Sequence, residues 1–184
     1  MNYMKELENE TSLWPHVTVH SHRFGGREFL FYKAEIGHVH RGGTLDIPFP
    51  RSVRDALIAD GLAEEHRWVP NSGWVSSHIR SSQDFEHALW LMRLSYLRYA
   101  LKAVPDARDL LERETSKLQL NSTYHNLLQR FISARYSAAG AGEAAPVAGA
   151  MPIAPRVLGD LIAERKNEPG SDEVRSLARK NAEF

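Results

Sequence analysis

No cysteine occurs among the 184 residues. That excludes disulfides, thiolate zinc sites and a cysteine nucleophile, and it suits a reducing compartment. Net charge is also missing: 23 Lys and Arg balance 23 Asp and Glu. No overall field therefore draws the chain to nucleic acid or to an acidic lipid surface. No window approaches the roughly 18 apolar residues of a membrane span. The opening MNYMKELENETS is polar and acidic, without the apolar core of a secretion signal. There is no serine elbow, and FGGREF lacks the GxGxxG spacing of a phosphate-cradling loop. These absences predict a cytoplasmic protein with no nucleic-acid or membrane partner, and they argue against nucleotide-dependent and α/β-hydrolase chemistry.

Strand patterning fills residues 14–50. In HVTVHSHRF, Val17 and Val19 alternate with Thr18, His20 and His22, the period-two pattern of a half-buried strand. Gly25 and Gly26 suit the positive φ of a hairpin turn. EFLFYKAEIGHVH supplies one or two further strands, on which parity puts His38 and His40 on the face of Ile36. In TLDIPF, Leu45, Ile47 and Phe49 point inward and Asp46 the other way.

PRSVRDALIADG predicts a short helix capped by Ser52, with Val53, Leu57 and Ile58 as its apolar stripe and Gly61 just past its end. AEEHRWVP and GWVSSHIR predict two strands around a turn at Asn71–Gly73. Ser81 or Ser82 caps a long apolar helix over 83–103 that needs burial against a sheet or an interface. Two amphipathic helices follow in 105–138, then an Ala/Gly/Pro-rich linker and a charged tail over 139–184. The expected class is α+β: a mostly antiparallel sheet packed on helices in 1–104, with extra C-terminal helices in 105–138. The polar face carrying His20, His22, His38 and His40 should line a cleft. Trp14, Phe24, Phe29, Phe31 and Trp68 read as core.

Six of the nine histidines lie within the first 66 residues, and three readings apply. They are surface residues bonded to their neighbours. Or His38 and His40, one residue apart on a strand, share a metal ion, with Asp46 or His66 completing a set of N and O ligands. Or they do acid–base chemistry without metal, one imidazole taking a proton from an enol and a second holding the anion, with Asp46 orienting a ring.

The blocks WPHVTVHSHRFGGREF, EIGHVHRGGTLDIPFP, GLAEEHRWVPNSGWVS and LSYLRY, in that order within residues 14–102, resemble the small bacterial luciferase-domain proteins, relatives of the fungal luciferase that acts on 3-hydroxyhispidin. Glu35, Ile36, His38, His40, His66 and Trp74 match the fungal pattern as well, whereas Asp46 in DIPFP stands where the fungal enzyme has a histidine. A fainter similarity is to the YjbR-like fold. The luciferase resemblance implies oxygenation of an enolic, hydroxypyrone-like molecule with O2 as co-substrate and no metal or other cofactor. It implies His38, His40 and His66 as the catalytic bases, Trp74 as a pocket wall and Arg23 as an oxyanion partner. With Asp46, those two make up the substrate-binding side. The alternative is a non-enzymatic ligand- or protein-binding module that uses the long helix and the helices of 105–138, with homodimerisation through those apolar helices.

Overall fold

The computed structural model describes residues 2–23 and 25–139. All but the first residue of the linker and tail expected over 139–184, and Phe24 as a core residue, lie outside the described residues. The architecture is α+β, with helices packed on one antiparallel sheet of six strands.

The chain opens with α1 (Tyr3–Ser12), then β1 (Val17–Ser21), β2 (Arg27–Phe31), β3 (Ala34–Val39) and β4 (Thr44–Pro48). After α2 (Arg51–Ala59) come β5 (Glu64–Glu65) and β6 (Trp74–His78), then α3 (Ser82–Ala103), α4 (Ala107–Leu118) and α5 (Ser122–Ala139). The strand order is β1-β2-β3-β4-β6-β5, and every neighbouring pair is antiparallel. Gly25 and Gly26 turn β1 into β2 with φ of 81° and 98°, as their pairing predicts. A Cβ on Gly26 would stand 2.0 Å from the Val39 carbonyl oxygen, so the β2–β3 pairing itself requires a glycine there.

One face of the sheet carries the core. Phe29, Phe31, Val39, Leu45, Ile47 and Val75 are buried, and α1 and α3 pack against the strands that bear them. Helix α3 is the central beam. It touches β3, β4 and β6 on one side and α4 and α5 on the other, and α4 and α5 pack on each other. Leu91, Met92, Leu94, Leu97 and Leu101 of α3 are buried in this packing, as a helix this apolar requires. Ser81 caps α3 in a full capping box: its hydroxyl accepts from the Asp84 N–H at 3.1 Å, and the Asp84 carboxylate accepts from the Ser81 N–H at 2.9 Å. Ser81→Ala is expected to cost about 1 kcal/mol, read as a lower denaturant midpoint at unchanged slope.

Three expectations need correction, and one helix has no counterpart among them. Helix α2 begins one residue before Ser52, with Pro50 as its N-cap and no side-chain cap bond; the proline's fixed φ of −58° already sets the entry. The strand expected in AEEHRWVP is only the pair Glu64–Glu65, because Pro70 and the turn hydrogen bond from Ser72 N to Val69 O divert the chain. Trp68 is not core but 77% exposed. Helix α1 was not expected at all. Its signals are faint: Asn2 Oδ1 accepts from Lys5 N at 3.2 Å, and Leu7 and Thr11, four residues apart, are its buried residues. An ion pair from Glu8 to Arg27 at 3.1 Å ties it to β2.

Candidate functional site

Cross-strand register builds the site. Glu28 pairs with His38, His38 with Asp46, Asp46 with Ser76 and Ser76 with Glu64. Directly paired residues share a face, so five strands contribute one polar row on the side of the sheet away from α3.

Strand β3 reaches that row through a bulge. Leu30 pairs with Glu35 but Phe29 with Gly37, so Ile36 has no register partner. Glu28 and Leu30, two apart on β2, share a face, and so must their partners His38 and Glu35, although those are three apart. This overturns the parity that put Ile36 beside the two histidines: Ile36 is fully buried, and Glu35 takes its place on the histidine face. Gly37 is the residue that allows the bulge. Its φ is +153°, and a Cβ there would stand 2.8 Å from Met92 Sδ of α3 and 3.2 Å from the Asp46 carbonyl oxygen.

Three imidazoles converge on one oxygen. Asp46 Oδ2 lies 3.0 Å from His40 Nε2 and 3.5 Å from both His38 Nε2 and His66 Nε2. The other carboxylate oxygen, Oδ1, accepts a hydrogen bond from the Ser76 hydroxyl. On its far side His38 Nδ1 bonds Glu35 Oε1 at 2.6 Å. Backbone N–H groups of Trp68 and Val69 donate to His66 Nδ1 at 3.2 and 3.3 Å. An N–H cannot accept, so Nδ1 holds the lone pair and Nε2 carries the hydrogen facing Asp46. His40 bonds Asp46 through Nε2 and has no bond at Nδ1 among the described residues.

Asp46 and His38 are buried, and each charge supports the other. Burial works against an ionised Asp46, but the His38 and Ser76 contacts outweigh it and hold its pKa down at about 2. Burial likewise works against a protonated His38, and the Asp46 and Glu35 carboxylates outweigh it, pushing the pKa up to about 9. His22 stacks on His38 with ring centroids 4.1 Å apart. Burial lowers its pKa, and the neighbouring His38 and His40 lower it further.

The cluster forms the floor of a cleft of about 1040 Å³, with Arg23, Trp74 and Trp68 among its other lining residues. A second cleft of about 620 Å³ shares His40, Asp46, His66 and Trp68 with the first and reaches Thr44 and His78. The two clefts thus meet at the cluster. All six residues singled out in the sequence (Arg23, His38, His40, Asp46, His66 and Trp74) line the first cleft. His20 is the exception on the histidine face: it is exposed and bonds Thr18 Oγ1 at 3.0 Å. Sequence reasoning assigned no role to Glu35 or Ser76. The Glu in E-I-x-H-x-H was the available signal for the first, and nothing local marks the second.

Residues 33–95 match the family model described as the luciferase domain. Over this stretch the chain is similar to the luciferase domain. The stretch contains Glu35, His38, His40, Asp46, His66, Trp74 and Ser76, while His22 and Arg23 enter the cleft from outside it. No curated protein and no solved structure matches the chain. Among the described residues no helix is long and apolar enough to cross a membrane.

Proposed function

We propose that this luciferase-domain protein is an oxygenase that binds an enolic, hydroxypyrone-like small molecule as its anion and passes it to O2. The observation that carries the reading is the convergence of three imidazoles on the buried Asp46 carboxylate at the floor of an open cleft. Scattered surface histidines, or a module that docks partners through α3, would not require it. The cleft also has the walls that a flat ring needs, in Trp74 at 5.2 Å from the His38 ring and Trp68 at the rim. Arg23 adds a cation where an anionic ligand would lie.

The reaction balances without an added reductant. The enol proton passes to a cleft imidazole, and the electron-rich carbon of the enolate bonds one oxygen of O2. The distal oxygen takes the proton back, giving a hydroperoxide from one substrate and one O2. The substrate loses two electrons and O2 gains them. The protein supplies orientation and a polar environment that favours the anion over the neutral enol.

The test is O2 uptake by the full-length protein with a 3-hydroxy-2-pyrone, followed with an oxygen electrode and by mass spectrometry of the product. Uptake above the protein-free rate is expected, and His40→Ala should lower kcat/KM at least about 100-fold. Pyrone binding without O2 uptake would instead establish a ligand-binding module.

A further inference from the structure

We propose that His38 Nε2, His40 Nε2 and Asp46 Oδ2 form a facial triad that holds one divalent transition-metal ion, iron or zinc in class, at the floor of the cleft. The inference rests on ligand geometry and not on the oxygenase reading.

Three observations carry it. The first is distance. Donor atoms about 2.0–2.2 Å from one ion stand about 2.8–3.6 Å from each other when their bonds meet between right angles and the tetrahedral angle. His40 Nε2 and His38 Nε2 lie 3.0 and 3.5 Å from Asp46 Oδ2, and the three residues each offer a ligand atom within 4.8 Å of the other two. The longer separation is poor for an N–H···O hydrogen bond and ordinary for two ligands of one ion.

The second is the outer shell. Metal-bound histidines usually donate their other N–H to a carboxylate, which fixes the tautomer and strengthens the ligand. His38 does this through Nδ1 to Glu35 at 2.6 Å. A ligating carboxylate is itself hydrogen-bonded, and Ser76 donates to the non-ligating Oδ1 of Asp46. His66 belongs to this shell. The two backbone N–H groups at its Nδ1 leave Nε2 with a hydrogen rather than a lone pair, so it faces Asp46 Oδ2 at 3.5 Å and does not ligate.

The third is access. His38 and Asp46 are buried while His40 is partly open, and two clefts meet at His40 and Asp46. A facial triad of two histidines and one carboxylate leaves ligand positions vacant. These would face the clefts, where a substrate oxygen and a second small molecule can reach the ion. An ion there would supply positive charge for holding an enolate, in place of the metal-free chemistry that the family resemblance implies.

The test uses tag-free, full-length protein stripped with a chelator and then freed of it. Zn(II) and Co(II) are titrated in air and Fe(II) without O2. Elemental analysis gives the stoichiometry, competition with a coloured chelator gives affinity, and Co(II) visible absorption reports the ligand field. One ion per chain is expected. His38→Ala, His40→Ala and Asp46→Asn should each bind at least about 100-fold more weakly, since loss of outer-shell partners alone costs 10–100-fold. His20→Ala, outside the cluster, should bind as the natural chain does. Circular dichroism identifies any variant that does not fold. His40→Ala removes the most accessible of the three ligands and is the decisive variant. No uptake, or uptake that His40→Ala and Asp46→Asn share with the natural chain, overturns the proposal. The titrations contain no pyrone, so they separate the two readings. Failure to bind an ion in a protein that still consumes O2 with pyrone would refute the triad and leave the oxygenase, whereas tight binding of one ion without pyrone turnover would do the reverse.

Discussion

Asp46→Asn is expected to leave the protein folded and to lower kcat/KM for O2 uptake at least about 1000-fold. Asp46 is where the site's interactions meet. His38, His40 and His66 all reach its Oδ2, and Ser76 holds its Oδ1. The amide keeps the shape of the carboxylate and loses the charge. It also keeps its hydrogen bonds if its oxygen faces the imidazoles and its NH2 group faces the Ser76 hydroxyl, which accepts as well as donates. The core face of β4, with Leu45 and Ile47, is untouched. What disappears is the negative charge that supports His38 as a cation or, with an ion present, the anionic ligand. Ser76→Ala provides the graded control. It removes one bond to Oδ1 and leaves the charge, and should cost about 10-fold to 100-fold. Thermal melting by circular dichroism checks that both variants fold. Equal activity in Asp46→Asn and the natural protein would remove Asp46, and the convergence on it, from any account of function.

The face on which Asp46 lies was readable from alternation within one strand. Leu45, Ile47 and Phe49 are buried on the core side, so Asp46 had to point away. The same logic failed on β3, and the reason is physical. Alternation holds only while pairing is regular, and a single unpaired residue, Ile36, reverses it. The glycine at 37 that makes the bulge possible resembles any glycine until Met92 is known to lie 2.8 Å from where its Cβ would be. The histidine pair was legible as a pair, but its partners were not. Asp46 and Ser76 are 30 residues apart in the chain, and only the β4–β6 register brings them together. The tautomer of His66 depends on a loop whose two N–H groups fold back on the ring, a conformation that no pattern of residue types announces. Helix α3 was legible from its cap and its apolar length, whereas α1 was obscured by a polar run with Leu7 as its fully buried apolar residue. The exposure of Trp68 shows the limit of reading aromatics as core. This ring follows a two-residue strand in a loop at the cleft rim, where no second layer covers it.

Arg93→Ala is expected to destabilise the fold by about 3–5 kcal/mol, the largest loss of stability predicted for this chain. Arg93 on α3 and Glu114 on α4 form a two-pronged pair, Nε to Oε2 at 2.8 Å and Nη2 to Oε1 at 2.7 Å. Both side chains are largely shielded, at 12% and 5% exposure. The guanidinium also lies over Trp14 and Tyr96, 5.0 and 4.6 Å from their ring centroids, so one side chain joins α4, α3 and the segment after α1. Truncation leaves the Glu114 carboxylate buried without its cation, and that penalty, rather than the lost attraction, dominates the cost. For a chain of this length the midpoint of thermal unfolding should fall by roughly 10 °C. The double variant Arg93→Met with Glu114→Leu tests the cause. If the stranded charge is responsible, replacing both partners with apolar groups of similar volume recovers most of the loss, and the double-mutant cycle shows strong coupling. If lost packing against Trp14 and Tyr96 is responsible, the double variant remains as unstable as the single one. Arg93 lines neither cleft, and α3 meets β3 through other residues, among them Met92 beside Gly37 and Arg98 at the Glu35 carbonyl. Residual O2 uptake in the folded fraction of Arg93→Ala should therefore stay near that of the natural chain, which separates a stability defect from a defect of the site.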